Sequence, residues 1–118
     1  MIIAIVGVCA SGKTTLVEGL NKAGFNAYNV AQEHSGIKKF WNRWCPDFLI
    51  MIDATLPAIK KRRKVIWDES RLAIQHERLK DARENADLYI QTDLLGKEEV
   101  LNKVIDFIRG NTDVEDYS

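Results

Sequence analysis

The stretch Gly7-Val8-Cys9-Ala10-Ser11-Gly12-Lys13-Thr14 decides the fold, because it matches the pattern G-x-x-x-x-G-K-[ST] at every fixed position. It follows the apolar run Ile2-Ile3-Ala4-Ile5-Val6, which predicts a buried strand. It also precedes a segment with helical spacing that begins at Lys13 and continues to Leu20. The strand, the glycine-rich loop and the helix therefore follow one another in the order that a phosphate-binding loop requires.

Each fixed residue of the loop has a chemical reason to be there. Gly7 and Gly12 permit backbone conformations in which successive N–H groups face a bound anion, and the helix start adds a partial positive charge. Lys13 brings an ammonium group to the outer phosphates, and the Thr14 hydroxyl can ligate Mg²⁺. The pattern therefore predicts a nucleotide-phosphate site. Its predicted binding residues are Gly7, Cys9, Ala10, Ser11, Gly12, Lys13, Thr14 and Thr15.

The length and composition of the chain limit the class of protein. A chain of 118 residues predicts one domain, at residues 1–110, followed by a flexible acidic tail at 111–118. The 17 basic and 17 acidic side chains cancel, so no nucleic acid is expected as a partner, and no apolar stretch is long enough for a membrane span. The 2 cysteines are too few for a disulfide framework or a zinc site, which favours a reducing, cytoplasmic location.

Strand-like and helix-like segments alternate along the chain, which is typical of an α/β domain with a mainly parallel sheet. We expect three layers, α/β/α, around a sheet of four to five strands. After the first strand, further strands are predicted at 25–30, at 48–53 and at 88–92. The run Phe48-Leu49-Ile50-Met51-Ile52-Asp53 is almost continuously apolar, as a strand buried on both faces is.

Helices are predicted between these strands. Gly24 is expected to stop the first helix, and Gly110 is expected to lie just past the end of the last one. Pro57 opens a helical region that continues to about residue 85 and divides near 67–70. Ser35 is predicted to cap a further helix with one apolar stripe, formed by Ile37, Phe40, Trp41 and Trp44. This stripe either packs in the core or binds a ring or a partner subunit, so association into a homodimer stays open.

Four features, in this order, resemble the small P-loop kinases of the adenylate, shikimate, gluconate and adenylylsulfate kinase branch. The loop lies at the extreme N-terminus, and Pro46-Asp47-Phe48-Leu49-Ile50-Met51-Ile52-Asp53-Ala54 is similar to the strand that precedes their lid. The segment from Asn85 to Asp93, with Glu98-Glu99-Val100 after it, is similar to their closing segment. Arginines resembling those of a lid-like helical segment at 57–86 are Arg62, Arg63, Arg71, Arg78 and Arg83.

The resemblance implies parallel strands with helices on both faces, and transfer of a phosphoryl group from ATP with Mg²⁺ to a small molecule. It also implies that the loop from Thr92 to Gly96 lies near the adenine. The chain departs from those kinases between Gln32 and Asp47, where they insert an acceptor-binding section and another strand. The nucleotide end is therefore complete and the acceptor end is abbreviated.

Polar residues near strand ends are the remaining candidates for chemistry. Glu33 follows the second strand and is the candidate to hold Mg²⁺ or to accept the proton of an acceptor hydroxyl, with His34 as an alternative. Asp53 ends the apolar strand and is a candidate metal residue, although in the related kinases this acid often serves as a structural cap. Within or after the cationic block at 60–64, Arg62 and Arg78 are candidates to neutralise the transferring group.

Two functions of different classes follow from these residues. The first is an enzyme that transfers the terminal phosphoryl group of Mg·ATP to an unidentified small molecule. The second is a nucleotide-binding switch with slow or no hydrolysis that acts through a partner or as a dimer. The shortened acceptor section favours the switch, whereas the lid-like arginines favour the kinase.

Overall fold

A computed structural model describes residues 2–8, 11–35, 39–62 and 69–111 of the chain. These residues form an α/β domain in which a parallel sheet lies between two layers of helices. The described strands are β1 (Ile2–Gly7), β2 (Asn26–Asn29), β3 (Phe48–Asp53) and β4 (Leu88–Gln91). The described helices are α1 (Lys13–Lys22), α2 (Leu56–Arg62), α3 (Glu69–Asn85) and α4 (Lys97–Asn111), with short 3-10 helices at Gln32–His34 and Phe40–Trp44.

The four strands lie in the order β2-β1-β3-β4, and each neighbouring pair is parallel. Ile5 of β1 is level with Asn29 of β2 on one side and with Ile50 of β3 on the other. The strand that precedes the glycine-rich loop is therefore an interior strand. The predicted mainly parallel sheet is confirmed, and β3 has its predicted bounds. Because every strand runs in the same direction, the C-terminal ends of all four meet at one edge of the sheet.

Alternate residues along each strand point to opposite faces, and each face has its own core. On one face, strand residues such as Ile3 and Ile50 pack against α1 and α4. On the other face, Val6 and Met51 pack against α2 and α3, and Trp41 completes this layer. The three-layer arrangement is thus confirmed. Helix α3, the second half of the segment predicted to be lid-like, packs on the sheet through residues that include Leu72, Leu79 and Ala82.

The connections after β1 and β3 leave the sheet in opposite directions. Helix α1 follows β1 and packs on one face, whereas α2 and α3 follow β3 and pack on the other. In open parallel sheets, a crevice forms at the C-terminal ends of two adjacent strands whose connections diverge in this way. The glycine-rich loop lies at this crevice, between the ends of β1 and β3.

Two predictions about helices are wrong. The segment predicted to be an α-helix after Ser35 is not one in its described part, because Lys39 has a left-handed conformation with φ of 58°. The aromatic segment therefore forms only the five-residue 3-10 helix Phe40–Trp44 in its described part. Gly110 does not end the last helix, which continues to Asn111. The stop of α1 near Gly24 is confirmed, since α1 ends at Lys22 and Gly24 has φ of 96°.

Several predictions concern residues that lie outside the described part of the chain. They are the loop residues Cys9 and Ala10, Ile37 of the aromatic stripe, the division of the helical region within 63–68, and the acidic tail at 112–118. No helix in the described ranges is both long enough and apolar enough to cross a membrane.

Candidate functional site

The glycine-rich loop is closely fitted to the neighbouring strand at Gly7. A Cβ atom on Gly7 would lie 2.1 Å from the backbone oxygen of Ile52, which is much closer than real Cβ contacts. Gly7 is level with Ile52 in the register between β1 and β3, so only a residue without a side chain lets the strands pair up to the loop. The first glycine of the motif is therefore required by packing as well as by any ligand.

The far end of the loop is shaped by Gly12, which precedes the first residue of α1. Its φ of 105° lies in the left-handed region, where a side chain would be strained. The loop is tied to itself because the backbone N–H of Ser11 donates to Val8 O at 3.2 Å and the Ser11 hydroxyl donates to the same oxygen at 2.7 Å. It is also tied to the residue that follows β4, because the Thr92 hydroxyl donates to Ser11 O at 3.2 Å.

Lys13 begins α1, and its ammonium group turns back toward the end of β1. Its Nζ donates to the backbone oxygen of Gly7 at 2.8 Å and also contacts Glu33 Oε2. The side chains of Lys13 and Glu33 are 8% and 4% exposed, so this is a buried ion pair. The predicted lysine and the predicted carboxylate, 20 residues apart in the sequence, thus lie together at the mouth of the loop.

The position of Glu33 follows from the way the chain leaves β2. The backbone N–H of Val30 donates to Ile5 O at 2.9 Å, which extends the pairing with β1 beyond the end of β2. The 3-10 helix Gln32–His34 then turns the chain across the sheet edge. Gln32 is buried and accepts a hydrogen bond from the backbone N–H of Trp41 at 2.9 Å, which fixes this turn to the aromatic segment.

Of the two predicted arginines, Arg78 is brought to this group. Its Nη1 lies 3.4 Å from the backbone oxygen of Glu33, which is a long hydrogen bond, and its side chain is otherwise exposed. Arg78 therefore adds a mobile cation beside Lys13 and Glu33. The side chain of Arg62, like that of His34, lies outside the described part of the structure, and Lys60 and Lys61 are exposed on α2.

Asp53 is buried at the end of β3, and both of its carboxylate oxygens accept hydrogen bonds. Oδ1 accepts from the backbone N–H of Ala54 at 2.9 Å and from His76, whose Nε2 is 3.0 Å away. Because an ionised carboxylate is only an acceptor, this contact assigns the proton to Nε2 of His76. Oδ2 accepts from the Tyr89 hydroxyl at 2.6 Å. These hydrogen bonds occupy most of the acceptor sites of Asp53, and its metal role stays a prediction.

Burial, the hydrogen bond to Asp53 and the negative charge of Asp53 together raise the pKa of Tyr89 to about 12. The guanidinium of Arg83 lies over the Tyr89 ring, 4.6 Å from its centroid, and lowers the pKa by a smaller amount. Sequence reasoning did not select His76 or Tyr89 as partners of Asp53. The signal that could point to Tyr89 is the alternation of residues between the two faces of a strand. Met51 pairs with Tyr89, and Asp53 lies two residues beyond Met51 on the same face.

A cavity of about 180 Å³ lies on the other side of the loop, between the start of α1 and the segment after β4. Its apolar wall is formed by Leu16, Leu95 and Val100, and Lys97 stands at its rim. Ligand pockets for whole small molecules exceed about 300 Å³, so this cavity suits one ring of a ligand. Its other lining residues are Ser11, Gly12, Thr15 and Thr92, which places it directly beside the glycine-rich loop.

Thr14 and Thr15 occupy the first turn of α1 and are exposed, so both hydroxyls are accessible from the loop side. The structure therefore brings together Gly7, Gly12, Lys13, Glu33 and Arg78. It leaves Asp53 at the same edge of the sheet but engaged with His76 and Tyr89.

Comparison with known proteins adds no family to this description. A scan against protein-family models found no matching family, and a search of the curated proteins found no match.

Proposed function

We propose that this protein binds Mg·ATP at the loop from Gly7 to Thr14 and transfers the terminal phosphoryl group to a small-molecule acceptor. The observation that carries the proposal is the convergence of Lys13, Glu33 and Arg78 at the end of β1. Two cations and one carboxylate beside a glycine-rich loop that opens a helix are the groups that phosphoryl transfer requires.

Phosphoryl transfer needs little covalent chemistry from a protein, so positioning and charge neutralisation dominate. Lys13 neutralises the outer phosphates, and the exposed Arg78 can follow the charge on the transferring group. The cavity beside Thr15 and Leu95 takes the base, while the first turn of α1 takes the phosphates. In this arrangement the ligand lies along the loop, with its ring and its phosphates at opposite ends of it.

The available oxygen ligands fit Mg²⁺, which prefers hydroxyl, carboxylate and phosphate oxygens and keeps several waters. The exposed Thr14 hydroxyl and the Glu33 carboxylate would hold it together with the phosphates. When bound, the cation neutralises charge on the bridging oxygens. In the alternative role, Glu33 accepts the proton of an acceptor hydroxyl while the hydroxyl oxygen attacks the terminal phosphorus and the bond to ADP breaks.

The test of nucleotide binding is Lys13→Ala, with Lys22→Ala as the matched control at the other end of the same helix. Calorimetric titration with Mg·ATP should show affinity lowered by about tenfold or more for Lys13→Ala and unchanged for Lys22→Ala. Because Lys13→Ala leaves the buried Glu33 without its cation, circular dichroism must first show that the variant is folded. Unchanged affinity in the folded variant would refute the proposed site.

The test of transfer follows ADP release from Mg·ATP with and without a fractionated pool of metabolites. A kinase should release ADP faster in the presence of one fraction, and Lys13→Ala should abolish the stimulation. Stimulation by every fraction to the same extent would point to contaminating activity and count against the proposal.

A nucleotide-dependent switch is the second candidate, and the contacts of α3 favour it. Arg78 of α3 contacts the backbone of Glu33, and Asp81 of the same helix accepts a hydrogen bond from the Trp41 indole at 2.9 Å. Through these contacts, a movement of Glu33 on nucleotide binding would be passed on to α3, which packs on one face of the sheet. Tight ATP binding without stimulated turnover would support the switch over the kinase.

A further inference from the structure

Glu33 is a fixed negative charge in a place where the proposed ligand is also negative. Its carboxylate is buried against Lys13, which at the same time donates to Gly7 O at 2.8 Å. The turn that carries Glu33 is held by the hydrogen bond between Gln32 and Trp41 and by Arg78. The backbone of Glu33 is therefore fixed by contacts to two other segments of the chain, and its buried carboxylate is held against Lys13.

An incoming polyphosphate competes with this carboxylate for Lys13. Lys13 has three N–H donors, and in the structure it donates to Gly7 O and contacts Glu33 Oε2. If phosphate oxygens replace Glu33, a buried carboxylate is left facing other negative groups, which is unfavourable at short range in a protein environment. If the phosphates carry a divalent cation, the same carboxylate faces a positive charge instead.

We propose that Glu33 is an internal counter-ion of Lys13 that selects the metal-loaded nucleotide over the metal-free one. The inference rests on the proposed function and adds the residue that determines this selectivity. Glu33 disfavours the bare polyphosphate because it competes for Lys13 and repels the phosphate oxygens. Arg78 does not cancel this effect, since it contacts the backbone oxygen of Glu33 and its guanidinium is largely in water.

The experiment is calorimetric titration with ATP in EDTA and, separately, with ATP in excess MgCl₂. It compares the wild type with Glu33→Gln and with Glu18→Gln, a control that removes an exposed carboxylate from α1. We expect the wild type to prefer the metal-loaded form by about tenfold or more. Glu33→Gln should bind metal-free ATP about tenfold more tightly than the wild type, and Glu18→Gln should match the wild type in both buffers.

Two results would overturn the inference while leaving the proposed nucleotide site intact. One is a folded Glu33→Gln variant that binds metal-free ATP no more tightly than the wild type does. The other is a wild type that binds both forms of ATP equally well, and this result needs no variant to fold. If the wild type binds neither form, the proposed function itself fails and the inference fails with it.

Discussion

The Tyr89 hydroxyl should make the stability of this protein depend on alkaline pH. Tyr89 donates to the buried carboxylate of Asp53 at 2.6 Å, and its pKa is raised from 10.0 to about 12. The perturbation is Tyr89→Phe, which removes the hydroxyl and keeps the ring under Arg83. At neutral pH we expect this variant to be about 1 kcal/mol less stable than the wild type, because Asp53 loses a hydrogen-bond donor.

The pH dependence follows from the difference in proton binding. Below about pH 10 both the folded and the unfolded chain keep the Tyr89 proton, so the contribution of Tyr89 is constant. The pKa of Tyr89 is 10.0 in the unfolded chain and about 12 in the folded chain. At pH values between these two, the unfolded chain releases the proton while the folded chain retains it, so the free energy of unfolding falls as pH rises. For a fully shielded group this difference would amount to about 2.7 kcal/mol. Since Tyr89 is 37% exposed, we expect about half of that.

The assay is urea unfolding followed by circular dichroism at several values between about pH 8 and pH 11. The measured quantity is the difference in unfolding free energy between wild type and Tyr89→Phe, in which the titration of the lysines and other tyrosines cancels. We expect this difference to decrease by about 1 kcal/mol over the range. A difference that stays constant, or increases, would show that Tyr89 does not retain its proton through Asp53.

Further predictions concern packing. Gly7→Ala should destabilise the protein by about 3 kcal/mol or more in chemical denaturation, because its Cβ would lie 2.1 Å from Ile52 O; a loss below about 1 kcal/mol would contradict the close fit. Leu79→Ala should cost about 2–5 kcal/mol because Leu79 lies on the face of α3 that packs on the sheet and is fully buried. Ile74→Ala on the same helix removes a side chain that is 53% exposed and should cost less than half as much. If the two α3 variants lose equal stability, the buried face of this helix is not the one that carries Leu79.

Local sequence patterns were sufficient for the parallel sheet. The apolar run from Phe48 to Asp53 identified β3 because a strand buried on both faces has little choice of residue. The glycines, Lys13 and Thr14 were selected because a phosphate-binding loop requires these residue types at fixed spacing, and their role in binding stays a prediction. In both cases the residue types are determined by neighbours a few positions away in the sequence, and a sequence pattern can detect constraints of this kind.

The prediction failed where tertiary contacts outweigh local spacing. Phe40, Trp41 and Trp44 have helical spacing, yet the left-handed conformations of Lys39 and Cys45 enclose only a short 3-10 helix. Trp41 is instead fixed by Gln32 and Asp81, which no periodicity can anticipate.

Long-range partners were missed for the same reason. The contacts of Asp53 with His76 and Tyr89 join residues 23 and 36 positions away. Only the strand register and the placement of α3 on the sheet bring these residues together, so they could be assigned only once the fold was known.

The indole of Trp41 makes the aromatic segment an optical reporter of events at the loop. Its N–H donates to Asp81 on α3, and its backbone is bonded to Gln32, the neighbour of Glu33. A ligand that draws Lys13 from Glu33 would strain this turn, and the emission of Trp41 would shift as its hydrogen bond to a carboxylate changes. With Trp44 and Trp67 replaced by phenylalanine, Trp41 would be the single tryptophan of the protein, and nucleotide binding could be followed by its emission without any attached dye.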